Sequence, residues 1–351
     1  MTARYDADAL IAFAASVFQA AGMDADKAAV TARLLVEADM MGHTTHGLNL
    51  APGYVGALED SGMAGTGQPE VVADRGAALT WDGRRLPGVW LTAVAMEQAV
   101  ARARTHGTAS VAIRRSHHIA CLAAFLPIAT EQGMMAILCC SDPNAASVAP
   151  YGGLDAVFTP DPIAIGIPTD GAPILIDTSA SITTNGLTGR LHQEGRRLPH
   201  PWVMDAEGRP TDDPGVLFAD PPGTILPTGG LDHGHKGYAL ALMIEALSQG
   251  LGGHGRADPK EGWGASVFLQ VIDPDAFAGR EAFARQTGHT AATCRANRPR
   301  DPQAPVRLPG QGALDRRDRA REDGVVLYEG VLERLAGKAE RYGIAPPKPL
   351  D

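Results

Sequence analysis

Eleven histidines are distributed along a 351-residue chain, and three pairs lie close enough together for joint chemistry: His43 with His46, His117 with His118, and His233 with His235. Imidazole has a reference pKa of about 6.5, so it can give or take a proton near neutrality. His43 and His46 are three apart and follow Asp39. On a continuing helix all three would share a face and imitate a metal site. Gly42 and Gly47 bracket the pair, however, which favours a helix end over a rigid ligand platform. Thr45, His46 and Gly47 then read as a tight turn with an imidazole at its mouth. Two readings stand for that ring: a proton-transfer group, or a surface or capping histidine. No metal is expected.

One G-x-G-x-x-G pattern occurs, at Gly250, Gly252 and Gly255. A Rossmann phosphate loop needs a strand entering the glycine turn and a helix leaving it, so that helix N-terminal amides meet the pyrophosphate. Here a helical pattern enters, and Arg256 to Pro259 follows as a polar loop. These glycines read as a helix cap and turn. Any dinucleotide would have to be bound by another fold.

The elements that must carry these residues begin with two helices. Leu10, Phe13, Val17 and Phe18 recur at helical spacing, with Gly22 at a left-handed cap, and a second helix opens near Asp24 and runs toward Asp39. From Gly88 the pattern alternates: a helix over Val89–Arg104, a strand over Ser110–Arg114, a helix over Ile119–Gln132 and a strand over Met135–Cys140. The apolar runs Ile163–Ile167 and Ile174–Ile176, separated by Pro168, Asp170 and Gly171, predict a hairpin. A helix over Gly237–Leu247 and a strand over Ser266–Ile272 follow, then a loop over Pro299–Gly312 and a closing helical tail. This is an α/β pattern.

Composition narrows the partners. Apolar residues make up 44% and charged residues 20% of the chain, which is globular rather than disordered. The net charge of -9 argues against a phosphate backbone as partner. Arg316, Arg317, Arg319 and Arg321 alternate with acidic residues and read as a solvated helix face. Cys121, Cys139, Cys140 and Cys294 show no C-x-x-C spacing and fit reduced thiols in a cytoplasmic protein. Asp6 and Asp8 break up any signal-peptide pattern, and no apolar run approaches the roughly 18 residues that cross a bilayer. A soluble, cytoplasmic protein is expected, with neither nucleic acid nor membrane as partner.

Several motifs now combine: Ala38-Asp39-x-x-Gly42-His43-x-Thr45-His46-Gly47, Arg115-Ser116-His117-His118, Pro150-Tyr151-Gly152-Gly153, Asp161-Pro162-Ile163-Ala164, Gly234-His235-Lys236-Gly237-Tyr238 and Arg307-Leu308-Pro309-Gly310. In order and spacing, over nearly the whole chain, they resemble the type-2 malate/L-lactate dehydrogenase family. The resemblance implies a non-Rossmann α/β fold, with a mixed-sheet cofactor domain and a helical domain built from both chain ends. On that pattern residues 1–75 form the helical N-terminal part, 76–298 the cofactor-binding domain and 299–351 the return to the helical domain. It also implies a homodimer that uses NAD or NADP to move hydride on a small-molecule substrate, a 2-hydroxy acid, 2-oxo acid or cyclic imine. His46 matches the family's proton donor and Thr45 the preceding hydroxyl of a relay. His118, Ile119, Ala120, Cys121 and Leu122 match a cofactor-contacting segment. Asp177, Thr178 and Ser179, the pair His235 and Lys236, and Arg307, Pro309 and Gly310 match further cofactor contacts.

The chain departs from the family at substrate-binding positions. Leu50 stands where the family places an arginine that grips the substrate carboxylate, and Pro160 and Asp161 stand where it has threonine and asparagine. Leu187 falls where the relay aspartate belongs. Arg114, Arg115 and His117 are candidates to replace the arginine, and Asp161 suggests a pocket that prefers a neutral or cationic group. Two other classes remain open on the residues alone: a cofactor-binding relative without catalysis, and a metal-dependent hydrolase or lyase using Asp39, His43 and His46.

Overall fold

The computed structural model describes residues 3–350. Asp6 accepts the Ala9 amide at 2.8 Å, satisfying one of the free donors at the start of a helix, and α1 (Ala7–Ala20) follows. Gly22 has φ +101, a left-handed conformation that glycine adopts without strain. The chain then enters α2 (Ala25–Met41), which Gly42 ends at φ +87. Lys27 is buried yet paired: its ammonium meets Asp24 at 2.8 Å and lies over the Trp90 ring at 4.4 Å. Trp90 belongs to α4 (Gly88–His106), so the contact ties the site-bearing helix to the body of the protein. Between them, α3 (Ala51–Glu59) precedes the strands β1 (Glu70–Asp74) and β2 (Ala78–Asp82).

Downstream come β3 (Thr108–Ser116), a short α5 (Pro127–Thr130), β4 (Met135–Ser141), β5 (Pro162–Ile167), β6 (Ile174–Ser179) and α6 (Asn185–Gln193). The two-residue strands β7 (Val203–Met204), β8 (Pro210–Thr211) and β9 (Thr224–Ile225) form a small sheet ordered β8-β7-β9. Then follow α7 (Gly230–His233), α8 (His235–Glu245), β10 (Ala265–Ile272), α9 (Arg280–Arg295), α10 (Gln311–Asp323) and α11 (Val331–Ala339). The principal sheet has seven strands in the order β1-β2-β3-β10-β4-β5-β6. Only β2 and β3 pair in parallel; the other neighbours are antiparallel. The fold is therefore mixed α/β, and it is not a Rossmann sheet.

Alternation along the central strands explains why helices cover both faces. Leu138 and Cys140 on β4 and Val267 and Leu269 on β10 point into the larger core with α2 and α4, whereas Cys139 and Phe268 point into a second core with Ile244 of α8. Successive strand side chains face opposite ways, and each buried leucine or isoleucine contributes about 1.5–3 kcal/mol. The chain ends meet: α10 packs on α2 and α11 on α3, and Tyr5 exchanges backbone hydrogen bonds with Val325 at 3.0 and 2.7 Å. β1 and β2, which flank position 75, form one antiparallel pair.

Two expectations are corrected. The apolar run Ile119–Gln132 is not one helix; it is irregular to Cys121, then a 3-10 turn over Leu122–Phe125, then α5. Ala120 has φ +61, which no helix tolerates, and Pro127 can start a helix but lacks the amide to continue one. The arginine-rich α10 is not simply a solvated face. Arg317 and Arg321 reach Glu37 of α2 at 3.6 and 3.1 Å, and Arg316 donates from Nε to the Met41 carbonyl at 3.0 Å. The glycines at 250–255 follow α8 through a π-turn over Ala246–Gly250, so a helix does enter them. No helix among the described residues is long and apolar enough to cross a membrane.

Candidate active site

The C-terminus of α2 builds the turn that carries His46. The Gly42 amide donates to Asp39 O at 2.9 Å, His43 N to Ala38 O at 2.8 Å, and His46 N to His43 O at 2.8 Å. Asp39 closes the loop from within, its Oδ2 accepting the Leu48 amide at 2.7 Å. Gly47 is required sterically: a Cβ there would lie 2.2–2.4 Å from the Asp39 carboxylate. On this frame Thr45 Oγ1 and His46 Nδ1 are 2.8 Å apart. Burial, then the charges of His43 and Arg190, lower the His46 pKa to about 4. The ring is neutral at neutral pH.

A second imidazole faces it. The His118 ring stacks on that of His46 with centroids 6.0 Å apart and planes 26° apart. Tyr54 of α3, which is fully buried, puts its hydroxyl 2.8 Å from His118 Nδ1 and donates to the His118 carbonyl at 3.2 Å. Trp263 completes an aromatic wall, its ring 4.8 Å from His118, 5.0 Å from His117 and 5.4 Å from Tyr54. Burial pushes His118 well below its usual range. Close packing fixes the segment, because a Cβ on Gly88 would lie 2.0 Å from the His117 carbonyl oxygen. Ile119, Ala120, Cys121 and Leu122 are all buried. Their side chains belong to the core, and the left-handed backbone at Ala120 marks the local strain that functional segments often store.

Around the corner lies a cavity of about 740 Å³ lined by Met41, His43, Asp177, Thr178, Arg307, Pro309, Gly310 and Arg316, among others. Asp177 Oδ2 accepts the Ala123 amide at 3.0 Å, and Leu175 donates to the Pro309 carbonyl at 3.2 Å. The structure therefore brings β6 and the 307–310 segment together, with Leu175 and Pro309 standing 134 positions apart in sequence. Gly310 has φ +82, and a Cβ there would meet Leu175 at 2.6 Å. Ser179 is linked instead to the start of α8: its carbonyl accepts from Thr228 Oγ1 at 3.0 Å, and Gly237 packs on Thr228. His235 and Lys236 are exposed at that helix start, outside the cavity lining. Burial raises Asp177 and lowers His43, while the attraction between the two opposes both shifts.

The altered positions fall in different places. Leu50 packs against the large core and Leu187 against the second one, so neither presents a polar group. Pro160 is half-buried. Asp161 is fully buried at φ +46, with Oδ1 accepting from Thr159 Oγ1 at 2.6 Å and Oδ2 unpartnered. Through Thr159 its carboxylate joins an internal network with Ser141 and Glu245. Burial, then the Glu245 charge, raises it. Arg114 and Arg115 are paired with Asp82 at 3.0 and 3.4 Å, and His117 is buried with neither ring nitrogen bonded. Among the described residues, the group whose ligand atoms converge for a metal is His43, Cys121 and Asp177, within 4.8 Å. Asp39 and His46 are outside it, so the alternative metal set of Asp39, His43 and His46 does not form.

The sequence did not point to Tyr54, Trp263, Gly186, Arg190 or Arg316. Gly186 and Arg190 sit on α6, whose Thr184 cap accepts the Leu187 amide at 3.2 Å. A Cβ on Gly186 would lie 3.2 Å from Thr45 Cβ and 3.7 Å from His46 Cε1.

Residues 5–336 match the malate/L-lactate dehydrogenase family. Across 97% of its length the chain is 30% identical to hydroxycarboxylate dehydrogenase B of Escherichia coli, covering 95% of that protein. It is 33% identical, over 91% of each chain, to a Delta(1)-pyrroline-2-carboxylate/Delta(1)-piperideine-2-carboxylate reductase of Pseudomonas syringae pv. tomato. The crystal structure of the delta1-piperideine-2-carboxylate reductase from that organism superposes with a TM-score of 0.81 at 30% identity, covering 96% of this chain and all of the other. The chain belongs to the malate/L-lactate dehydrogenase family. It is an oxidoreductase of the kind that acts on hydroxy or oxo acids or imine carboxylates.

Proposed function

We propose that this protein uses NAD or NADP to interconvert a small 2-hydroxy acid and its 2-oxo acid, or a cyclic imine carboxylate and its amine, with His46 as the proton-transfer group. The observation that carries the reading is the His46 ring itself: Nδ1 is held by Thr45 Oγ1 at 2.8 Å, and one face is stacked on His118. The neighbouring cavity, which His43 of the same turn lines, is in keeping with a dinucleotide. Its volume lies within the range of cofactor sites, about 300–1,000 Å³, and Arg307 and Arg316 offer positive charge for phosphates while Asp177 and Thr178 offer groups for ribose hydroxyls. When bound, the nicotinamide would supply or accept hydride at the substrate carbon.

The residues of the chain handle the proton. With Nδ1–H donating to Thr45 Oγ1, His46 Nε2 is left bare to take the alcohol proton during oxidation. In reduction the doubly protonated ring keeps the same Thr45 contact and delivers its Nε2 proton to the developing alkoxide or amine. Tyr54 holds His118 in place through two hydrogen bonds, and the Trp263 ring packs against His118 at 4.8 Å. Leu187 cannot orient His46 as a carboxylate would, so Thr45 and the Asp39-closed turn carry that task.

The reading extends to a cytoplasmic homodimer with a small-molecule substrate. Free thiols at Cys121, Cys139 and Cys140, all buried, are in keeping with a reducing compartment. A solution mass of one chain by sedimentation equilibrium would overturn the dimer. The reaction is tested by offering NADH and NADPH with pyruvate, oxaloacetate and piperideine-2-carboxylate. Turnover by the parent and a loss of about 10²–10⁴ in kcat for His46→Gln, with cofactor fluorescence titrations unchanged, is expected. A variant as fast as the parent refutes the assignment of His46.

A further inference from the structure

We propose that Arg190, on α6, is the residue that binds the substrate carboxylate, in place of the arginine that Leu50 has displaced. The inference rests on the function proposed above and names the group that would set its substrate class. A 2-oxo or 2-hydroxy acid presents its carboxylate one bond from the reacting carbon, so the cation that grips it must stand near the proton-transfer histidine. The cation must also be free of a carboxylate of its own.

Arg190 meets both conditions. One turn earlier on the same helix face, Gly186 abuts Thr45 and His46. The guanidinium donates from Nη1 to Thr44 Oγ1 and from Nη2 to the Thr44 carbonyl, both at 2.9 Å, immediately before Thr45 and His46. One face of the guanidinium is covered by the Tyr328 ring, 3.7 Å away. Its charge helps burial to lower the His46 pKa and partly opposes the rise that burial imposes on Asp39. The neighbouring acid, Glu194, is already engaged by Arg196 at 2.8 Å and by the Tyr328 hydroxyl. A guanidinium has five N–H donors in a planar fork; Thr44 takes two, leaving three, enough for a bidentate carboxylate along one edge. Four other arginines are otherwise engaged: Arg114 and Arg115 are spent on Asp82, while Arg307 and Arg316 line the 740 Å³ cavity assigned to the cofactor.

Anchoring at Arg190 also explains why glycine stands at position 186. The helix must lie close enough to the turn for a side chain one turn later to reach the substrate beside His46, and a larger residue would hold it away.

The test compares Arg190→Gln and Arg190→Lys with the parent, using pyruvate, oxaloacetate and piperideine-2-carboxylate as carboxylate substrates and methyl pyruvate as the neutral control. Loss of a charge-assisted bidentate contact is expected to lower kcat/KM for the carboxylates about 100-fold or more, chiefly through KM. Methyl pyruvate should lose far less than the carboxylates, so that the ratio of kcat/KM for pyruvate to that for methyl pyruvate falls about tenfold or more in Arg190→Gln, and Arg190→Lys should recover part of that ratio. Cofactor fluorescence titration and thermal midpoints serve as controls for folding. A merely structural role for Arg190 predicts equal losses in kcat for pyruvate and methyl pyruvate, and that result overturns the proposal. So does a kcat/KM for the carboxylates that is unchanged in Arg190→Gln while the parent is active. If the parent turns over none of the carboxylates, both this inference and the proposed function fail together.

Discussion

Asp39 reaches across nine positions to Leu48, accepting its amide at 2.7 Å while its second oxygen has no hydrogen-bond partner. The contact closes the turn that presents His46, and it does so with a carboxyl buried to 5% exposure. An ionised carboxylate there is held by one amide and the nearby Arg190 charge against a large desolvation cost.

That arrangement makes stability depend on pH. Burial raises the Asp39 pKa to about 7, and the Leu48 amide and Arg190 only partly oppose it. The folded protein thus keeps a proton that the unfolded chain, with a pKa of 3.8, has released. The stabilisation is complete below the unfolded value and is lost as pH rises through about 7. Asp39→Asn keeps an acceptor for Leu48 and cannot ionise. Relative to the parent, the variant is expected to gain a few kcal/mol of unfolding free energy between about pH 4 and pH 8. Urea denaturation at several pH values measures this, and a difference that stays flat over the range would contradict the buried, protonated carboxyl.

The His46 ring sets a separate pH dependence, on the rate. Its pKa of about 4 follows from burial first and from His43 and Arg190 second, so the neutral base is present throughout the neutral range. Oxidative kcat/KM is expected to be level from about pH 6 to 8 and to fall only as the ring protonates near its pKa. Reductive kcat/KM needs the protonated ring and should rise by up to tenfold for each unit that pH falls toward 4. Initial rates in both directions decide this; a reductive profile indifferent to pH would remove His46 from the proton path.

Periodicity made the deeply buried elements legible. α1, α2, α4, β3, β4, β10 and the β5–β6 hairpin all stand close to where apolar spacing places them, because burial on one or both faces writes itself into the residue pattern. β1 escaped notice for the converse reason: every one of its residues is exposed, so no alternation marks it. α6 reads as polar and glycine-containing, and its helical state rests on the Thr184 cap and on packing by Thr188 and Leu191. The histidine motifs were visible locally. What could not be read was adjacency across the chain: Arg190 meets Thr44 from 146 residues away, and Tyr54 meets His118 from 64 away. Such pairs carry no local signature; they follow from how the N-terminal helical segment closes against α6 and against the turn after β3.

Gly186 offers the most discriminating test of that closure. Its backbone is not in the left-handed region, and Cβ contacts of 3.2 Å to Thr45 and 3.7 Å to His46 show a tight but not forbidden fit. Alanine is about 1 kcal/mol better than glycine inside a helix. Gly186→Ala should therefore leave stability unchanged or slightly improved, while the added methyl pushes Thr45 and the His46 ring by a few tenths of an ångström. Because misplacement on that scale weakens catalysis by near-attack geometry, kcat is expected to drop several-fold to tenfold with cofactor affinity intact. A thermal melt and steady-state kinetics on the same preparation separate the two effects. Parent-like kcat in a variant of normal stability would mean that α6 has room to spare and that its approach to His46 does not limit the reaction.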